Sequence, residues 1–245
     1  MRAMTADSIV SLAPSTTATI DARGCADRLV GVTTHCSVDA PVVGGWLNPE
    51  YDQIEAIDPD YICTSDTLQQ EIRDEFRDRG YTVIHNEPAR LEDVLESFAT
   101  IGAAIGEPEA GKQLERSARD RLAVIDSQTN NTDRPVVYCE EWSDPPMAAG
   151  NWVPDAVVAA GGTYPFVDPG DRSAKITQTE VENAAPEHAV LHICGFGERV
   201  TADRITDRAW NIDPTVHIFD DSLLNQPSPR LIDGIETLAA ILQSA

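Results

Sequence analysis

Lysine is nearly missing from this chain: of its 18 basic residues only Lys112 and Lys175 are lysine, against 41 Asp and Glu, and the formal charge is −23. That balance excludes nucleic acid as an expected partner. The acids run along the whole chain and form no tail, so they read as a solvated face suited to high salt. The five cysteines (25, 36, 63, 139 and 194) are odd in number and form no CxxC, which argues against a disulfide framework or a cysteine zinc site. Cys63 and Cys194 end apolar runs and are expected to be buried. No apolar run is long enough to span a membrane, and "MRAMTADSIVSLAPSTT" has neither a signal-peptide core nor a cysteine placed for a lipid anchor. The expected location is therefore the cytoplasm, or the cell surface if the true start lies upstream. Neither GxxxxGK[ST] nor GxGxxG nor GxSxG occurs, so nucleotide use and a serine-hydrolase elbow are not expected.

What is present is alternation. The β-rich runs "SIVSLAP" (8–14), "RLVGVTT" (28–34), "DYICTS" (60–65) and "YTVIHN" (81–86) are separated by helix-like segments. "NPEYDQIEAIDPD" reads as a helix opened by Asn48 and Pro49, and "TLQQEIRDEFRDRG" as one closed by Gly80. The pattern predicts a parallel α/β sheet. The second half repeats the plan. "TEVENAAPEHAVLHICG" mirrors "YDQIEAIDPDYICTS", and "HIFDDSLLNQPSPRLIDGIETLAAILQSA" mirrors "VIHNEPARLEDVLESFATIGAAIG". Between them, "PEAGKQLERSARDRLAVIDSQTN" spaces Leu114, Ala118, Leu122 and Ile125 as one helical face. The expected organisation is an N-terminal α/β lobe over 1–107, a connecting backbone helix over 108–130, a break at "TNNTDRP", and a C-terminal α/β lobe over 131–245, with a ligand cleft between the lobes.

In parallel sheets ligands meet the loops at the carboxyl ends of strands. Trp46, Trp142 and Trp152 fall on such loops and are expected to wall a large, flat, partly apolar ligand, with Phe196 of "GFGER" beside them; the alternative is that the rings are ordinary packing. The stretch "EEWSDPPMAAGNWVPDAV" (140–157), with three prolines, reads as neither regular helix nor regular strand. Ser15 and Thr16 are candidates to cap a helix or to bond a ligand's polar groups. His35 and Cys36 are candidates to ligate a metal-bearing ligand. No metal site built wholly of protein ligands is expected, and no catalytic nucleophile with a base is evident, so enzymatic chemistry is not expected.

The run "SIVSLAPSTTATIDARGCADRLVGVTTHC…GGWLNPEYDQIEAIDPDYICTS" resembles the first lobe of the vitamin B12-binding, BtuF-like members of the helical-backbone periplasmic-binding-protein family, and "EEWSDPPMAAGNWVPDAVVAAGGTYPF" is similar to a segment of its cobalamin-binding subgroup. The resemblance implies cobalamin or a related corrinoid as a bound ligand and not a catalytic cofactor. Relatives also take ferric siderophores, haem or metal ions, and a corrinoid-processing enzyme using Cys36 is a further alternative. It implies an ABC importer permease as a partner, docked through one acid per lobe: Glu50 matches the first, while Asn225 stands in place of the second. Asn151 stands where the subgroup often has His.

Overall fold

The computed structural model describes residues 7–129 and 134–244. The expected break within "TNNTDRP" lies, at residues 130–133, outside the described residues. The chain divides into two compact units, one from the N-terminus to Pro88 with Leu95–Ser117, the other Ala89–Val94 with the chain from Ala118 on.

Unit 1 holds strands β1 (Ile9–Ser11), β2 (Leu29–Val32), β3 (Tyr61–Ser65) and β4 (Val83–Asn86), all parallel, in the order β2-β1-β3-β4. Strand alternation splits the apolar side chains between two faces. Ile9, Cys63 and Ile84 join Ile20, Ile101 and Ile105 on one. Val10, Leu12 and Ile62 join Ile54, Ile72 and Phe76 on the other. The first face is covered by α1 (Pro14–Asp21) and α4 (Leu91–Ala104), the second by α2 (Tyr51–Ile57) and α3 (Gln70–Asp78). Gly80 follows α3 at φ +90° and ends it as expected. The opening of α2 differs from expectation: Glu50, not Asn48, is the N-cap residue and makes no side-chain cap bond. Asn48 is instead held in a turn by the Gly44–Pro49 bridge and the bond from the Gly45 N–H to its carbonyl. The long helix α5 (Pro108–Thr129) buries Ala118 and Ile125 and half-buries Leu114 and Leu122. A Cβ on Gly102 of α4 would lie 2.7 Å from the Cα of Gly111 in α5, so the two helices meet backbone to backbone.

Unit 2 holds β5 (Val137–Ser143), β6 (Pro146–Ala148), β7 (Ala174–Lys175), β8 (His188–Leu191) and β9 (Thr215–Ile218), in the order β7-β6-β5-β8-β9. The helices are α6 (Val153–Ala159), α7 (Gln178–Ala184), α8 (Asp203–Thr206) and α9 (Pro229–Gln243). Strands β5, β8 and β9 are parallel, but β6 pairs antiparallel with both β5 and β7, so this sheet is mixed where a purely parallel one was expected. The prolines of "EEWSDPPMAAGNWVPDAV" misled because each occupies a tolerated place. Pro145 lies in the hairpin turn, Pro146 is the first residue of a strand, and Pro154 lies in the first turn of α6.

The internal repeat extends to single backbone bonds. Helix α2 ends on Asp58 and α7 on Ala185, both left-handed (φ 50° and 47°) and both followed by proline. The next two N–H groups, of Asp60 and Tyr61, bond the Ser8 carbonyl; those of Glu187 and His188 bond the Val136 carbonyl.

Candidate functional site

Each unit presents, at the carboxyl ends of its parallel strands, the loops that were expected to carry binding residues. In unit 1 the chain leaves β1 into α1, whose N-cap is Ala13 with no side-chain cap bond. Ser15 and Thr16 are therefore not caps. They lie in the first helical turn with buried side chains, where their N–H groups have no intrahelical partner. His35 is exposed after β2, its N–H 3.4 Å from the Thr33 hydroxyl. Cys36 points inward: its sulfur lies 3.2 Å from the Thr17 hydroxyl and 3.3 Å from that of Thr33, and it packs on the Ile9–Ile105 cluster. The sulfur of half-buried Cys36, a candidate ligand in the sequence, is thus engaged with two hydroxyls. Trp46 is half-buried, with exposed Leu47 beside it, and Leu68 is exposed on the neighbouring loop after β3. Glu50 is exposed at the start of α2.

One residue that the sequence did not single out joins these loops. Gln69 is fully buried in the 3-10 turn after β3. Its Oε1 accepts the Ser65 N–H at 2.7 Å, and its Nε2 donates to the carbonyls of Leu12 at 3.0 Å and Trp46 at 2.6 Å. The turn that aims it inward starts at Asp66, a non-glycine residue at φ 72°, ψ 151°, whose carboxylate accepts the Leu68 N–H. That backbone region is almost reserved for glycine and costs about 1–3 kcal/mol, so the surrounding bonds must hold it.

In unit 2, Glu140 is fully buried and receives a fork from Arg208 at 2.6 and 2.9 Å, the Tyr138 hydroxyl at 2.7 Å and the Ser143 hydroxyl at 2.7 Å. The pairing register shifts between Glu140 and Trp142. Glu141, half-buried, is bonded by Ser173, and burial raises its carboxyl above the usual range. Trp142 is 45% exposed, its ring held to its own hairpin by a bond from Nε1 to the Asp144 carbonyl at 2.8 Å. Phe196 is 40% exposed under the Arg204 guanidinium, while Arg199 donates to the Gly195 and Phe196 carbonyls. Trp152 is different: it is 7% exposed and its Nε1 bonds the Leu224 carbonyl at 2.7 Å. Of the two roles open to the tryptophans, it has taken the packing one. Cys194, expected to be buried, is exposed.

His192 follows β8 directly and is fully buried; Asn225 accepts from its Nδ1 and donates to its carbonyl at 2.8 Å. Burial pushes the imidazole pKa down to about 4, so it is neutral near pH 7. Asn225, which was expected to stand in place of the second docking acid, is half-buried and engaged with His192. His188 lies four residues earlier on the same strand face, roughly 13 Å from His192 at ~3.3 Å per residue, and pairs instead with His217, Nδ1 to Nε2 at 3.1 Å. Among the described residues, no group of three or more His, Cys, Asp or Glu side chains is placed to hold a metal ion, and no helix is long and apolar enough to cross a membrane.

The family model described as "Periplasmic binding protein" matches residues 9–215. The chain is similar to the vitamin B12-binding protein of Vibrio cholerae, 23% identical over 98% of this chain and 90% of the relative. It is also similar to the cobalamin-binding protein of Halobacterium salinarum, 26% identical over 94% of this chain and 68% of the relative. Among solved structures it superimposes on the periplasmic vitamin B12 binding protein BtuF of Vibrio cholerae with a TM-score of 0.80 at 20% identity, covering 97% of both chains. The periplasmic heme-binding protein RhuT from Roseiflexus sp. RS-1 gives 0.83 at 19% identity, over 98% of this chain and 99% of that one. These likenesses agree on the two-unit α/β fold and differ in ligand.

Proposed function

The chain belongs to the periplasmic binding protein family, whose members bind without catalysis, and we propose that its ligand is cobalamin or a closely related corrinoid. The observation that carries this reading is the make-up of the carboxyl-end loops. They offer flat apolar surface, Trp46, Leu47 and Leu68 in unit 1 and Trp142 and Phe196 in unit 2. Around it acids outnumber bases: Asp39, Glu50 and Asp66 in unit 1, Asp144, Asp220 and Asp221 in unit 2. Of the bases at these loops, Arg90 is forked onto Asp155 at 3.1 and 2.8 Å and Arg199 is held by two carbonyls, while Arg204 lies over the Phe196 ring. Haem, with two carboxylates, or an anionic ferric siderophore would find few free cations here. A corrinoid, bearing neutral amides and a single phosphodiester, meets less repulsion, and the relatives named for vitamin B12 and cobalamin support the choice. Aromatic surface supplies most of the affinity at ~25 cal/mol per Å² buried, and polar groups set orientation. Ser15 and Thr16 contribute backbone N–H groups to peripheral amides, and exposed His35 is the candidate axial ligand or edge donor.

Delivery to an ABC importer follows as the role, with Glu50 as the docking acid of unit 1. Asn225 supplies no such acid in unit 2, so docking rests on unit 1. The alternative is a carrier that stays in the cytoplasm. Fractionation of the source cells separates them, membrane-surface protein supporting delivery and soluble cytosolic protein the carrier.

The test of the ligand is a spectroscopic titration with aquocobalamin, cyanocobalamin, haem and a ferric siderophore. Saturable cobalamin binding with tryptophan quenching is expected, and a visible-band shift lost in His35→Ala marks ligation. Binding of haem or the siderophore alone would overturn the corrinoid reading.

A further inference from the structure

We infer that Gln69 is the positioning residue of the unit 1 binding edge: a buried carboxamide that sets the Trp46 loop and the β1–α1 loop in register with the end of β3. The inference rests on the binding reading for its functional meaning and on three hydrogen bonds for its mechanism. Strand order β2-β1-β3-β4 makes the space between β1 and β3 the point where the chain switches direction across the sheet. At that point three separate segments end with backbone groups that the parallel ladder cannot pair. They are the Leu12 carbonyl after β1, the Ser65 N–H at the end of β3, and the Trp46 carbonyl on the excursion after β2.

A primary carboxamide has two donors and one acceptor oxygen on a planar head, which is the inventory these three groups require. The environment also settles its orientation, because only Nε2 can face two carbonyls. A glutamate would turn an acceptor toward both carbonyls, and a methionine would satisfy none of the three. The left-handed Asp66 is an independent sign of the same device: the chain holds a disfavoured backbone there, and the turn it opens directs Gln69 into the sheet end.

The experiment is hydrogen–deuterium exchange on ligand-free wild type, Gln69→Met and Gln69→Glu, followed by aquocobalamin titration of the folded fraction. In both variants amides of segment 43–49 should exchange at least about tenfold faster while β9 and α9 are unchanged, and affinity per folded molecule should fall at least about tenfold. In a Trp46→Ala background the further loss from Gln69→Met should shrink by at least about threefold, because much of the residue's effect passes through Trp46 and the remainder through the β1–α1 loop. Unchanged exchange over 43–49, or lowered thermal stability with unchanged affinity, overturns the inference. Should both variants fail to fold, the wild-type Gln69 side-chain NH2 decides: slow exchange by NMR supports the inference and solvent-fast exchange overturns it. If wild type does not bind aquocobalamin, the corrinoid reading falls, while the ligand-free exchange data still judge the positioning.

Discussion

After its first strand, unit 1 passes through α1 and returns as parallel β2; unit 2, after β5, turns at Asp144–Pro145 and comes straight back as antiparallel β6. The remaining three strands correspond, β1, β3 and β4 with β5, β8 and β9, down to the paired N–H groups that bond Ser8 and Val136. One architectural plan thus carries two different edges. In unit 1 the edge is a long loop pinned from beneath by Gln69; in unit 2 it is a hairpin whose exposed Trp142 is braced by its own turn. The interiors differ too. Unit 1 closes its switch point with a neutral amide, whereas unit 2 buries Glu140 under the Arg208 fork and buries two histidines, His188 and His192, with half-buried His217 stacked on the first. A conserved plan needs only matching strand periodicity, while the edge is free to diverge because it does not enter the shared core.

The contrast breaks most sharply at the buried pair. Glu140→Ala leaves Arg208 without its carboxylate in a site only 16% exposed, and should destabilise unit 2 by about 3–5 kcal/mol in urea unfolding; a loss below about 1 kcal/mol would show the pair to be dispensable. Trp152→Ala should cost a similar amount, about 3–5 kcal/mol, through the cavity and the orphaned Leu224 carbonyl. Thermal melts check it, and a stable variant with lost ligand binding would return Trp152 to the binding surface.

Acid should separate the units next. The folded pKa values of His188, His192 and His217 all lie below that of an unfolded histidine, through burial foremost. As pH falls below about 6.5 the unfolded chain therefore binds protons first, and the stability these groups contribute, whole above that pH, declines; for His192 the decline continues to about pH 4 and is on the order of 3 kcal/mol. In unit 1, Glu87 is held low by hydrogen bonds from His85 and Gln70, so its contribution is lost only below about pH 4.5. Hydrogen exchange between pH 7.5 and 5 should thus show β8 and β9 losing protection before β1 and β3. Simultaneous loss would mean that the histidines do not set the acid response.

The smallest effect sharpens the comparison at the edge. Trp142→Ala should leave stability within about 0.5 kcal/mol, as an exposed side chain, yet weaken ligand binding at least tenfold, about 1.4 kcal/mol. Calorimetric titration with unchanged affinity would remove Trp142 from the site.

What could be read from the sequence was what local physics governs. Alternation in "SIVSLAP" and "DYICTS", the Gly80 stop and the α5 stripe place elements because a strand or helix exposes its period in its own residues. The two Pro-Asp and Pro-Glu turns revealed the repeat for the same reason. The candidate site was legible as a set of loops, and only in part as side chains. Phe196 lies exposed on its loop and Trp142 is exposed but near the end of strand β5 and not on a loop, while Trp152 and Cys36 turned inward and Ser15 and Thr16 lost the capping role. The direction of a loop side chain depends on partners remote in sequence, the Leu224 carbonyl for Trp152 and the Thr17 and Thr33 hydroxyls for Cys36. Gln69 and the Arg208–Glu140 fork had no local signature, since the Trp46 and Leu12 carbonyls lie 23 and 57 positions from Gln69, and Arg208 lies 68 positions from Glu140. The sequence by itself determined the parallel strands, the main helices and their duplication; only tertiary structure decided the antiparallel pairing of β6 and β7 and which polar groups are buried, because a buried donor must find its acceptor wherever the fold brings one.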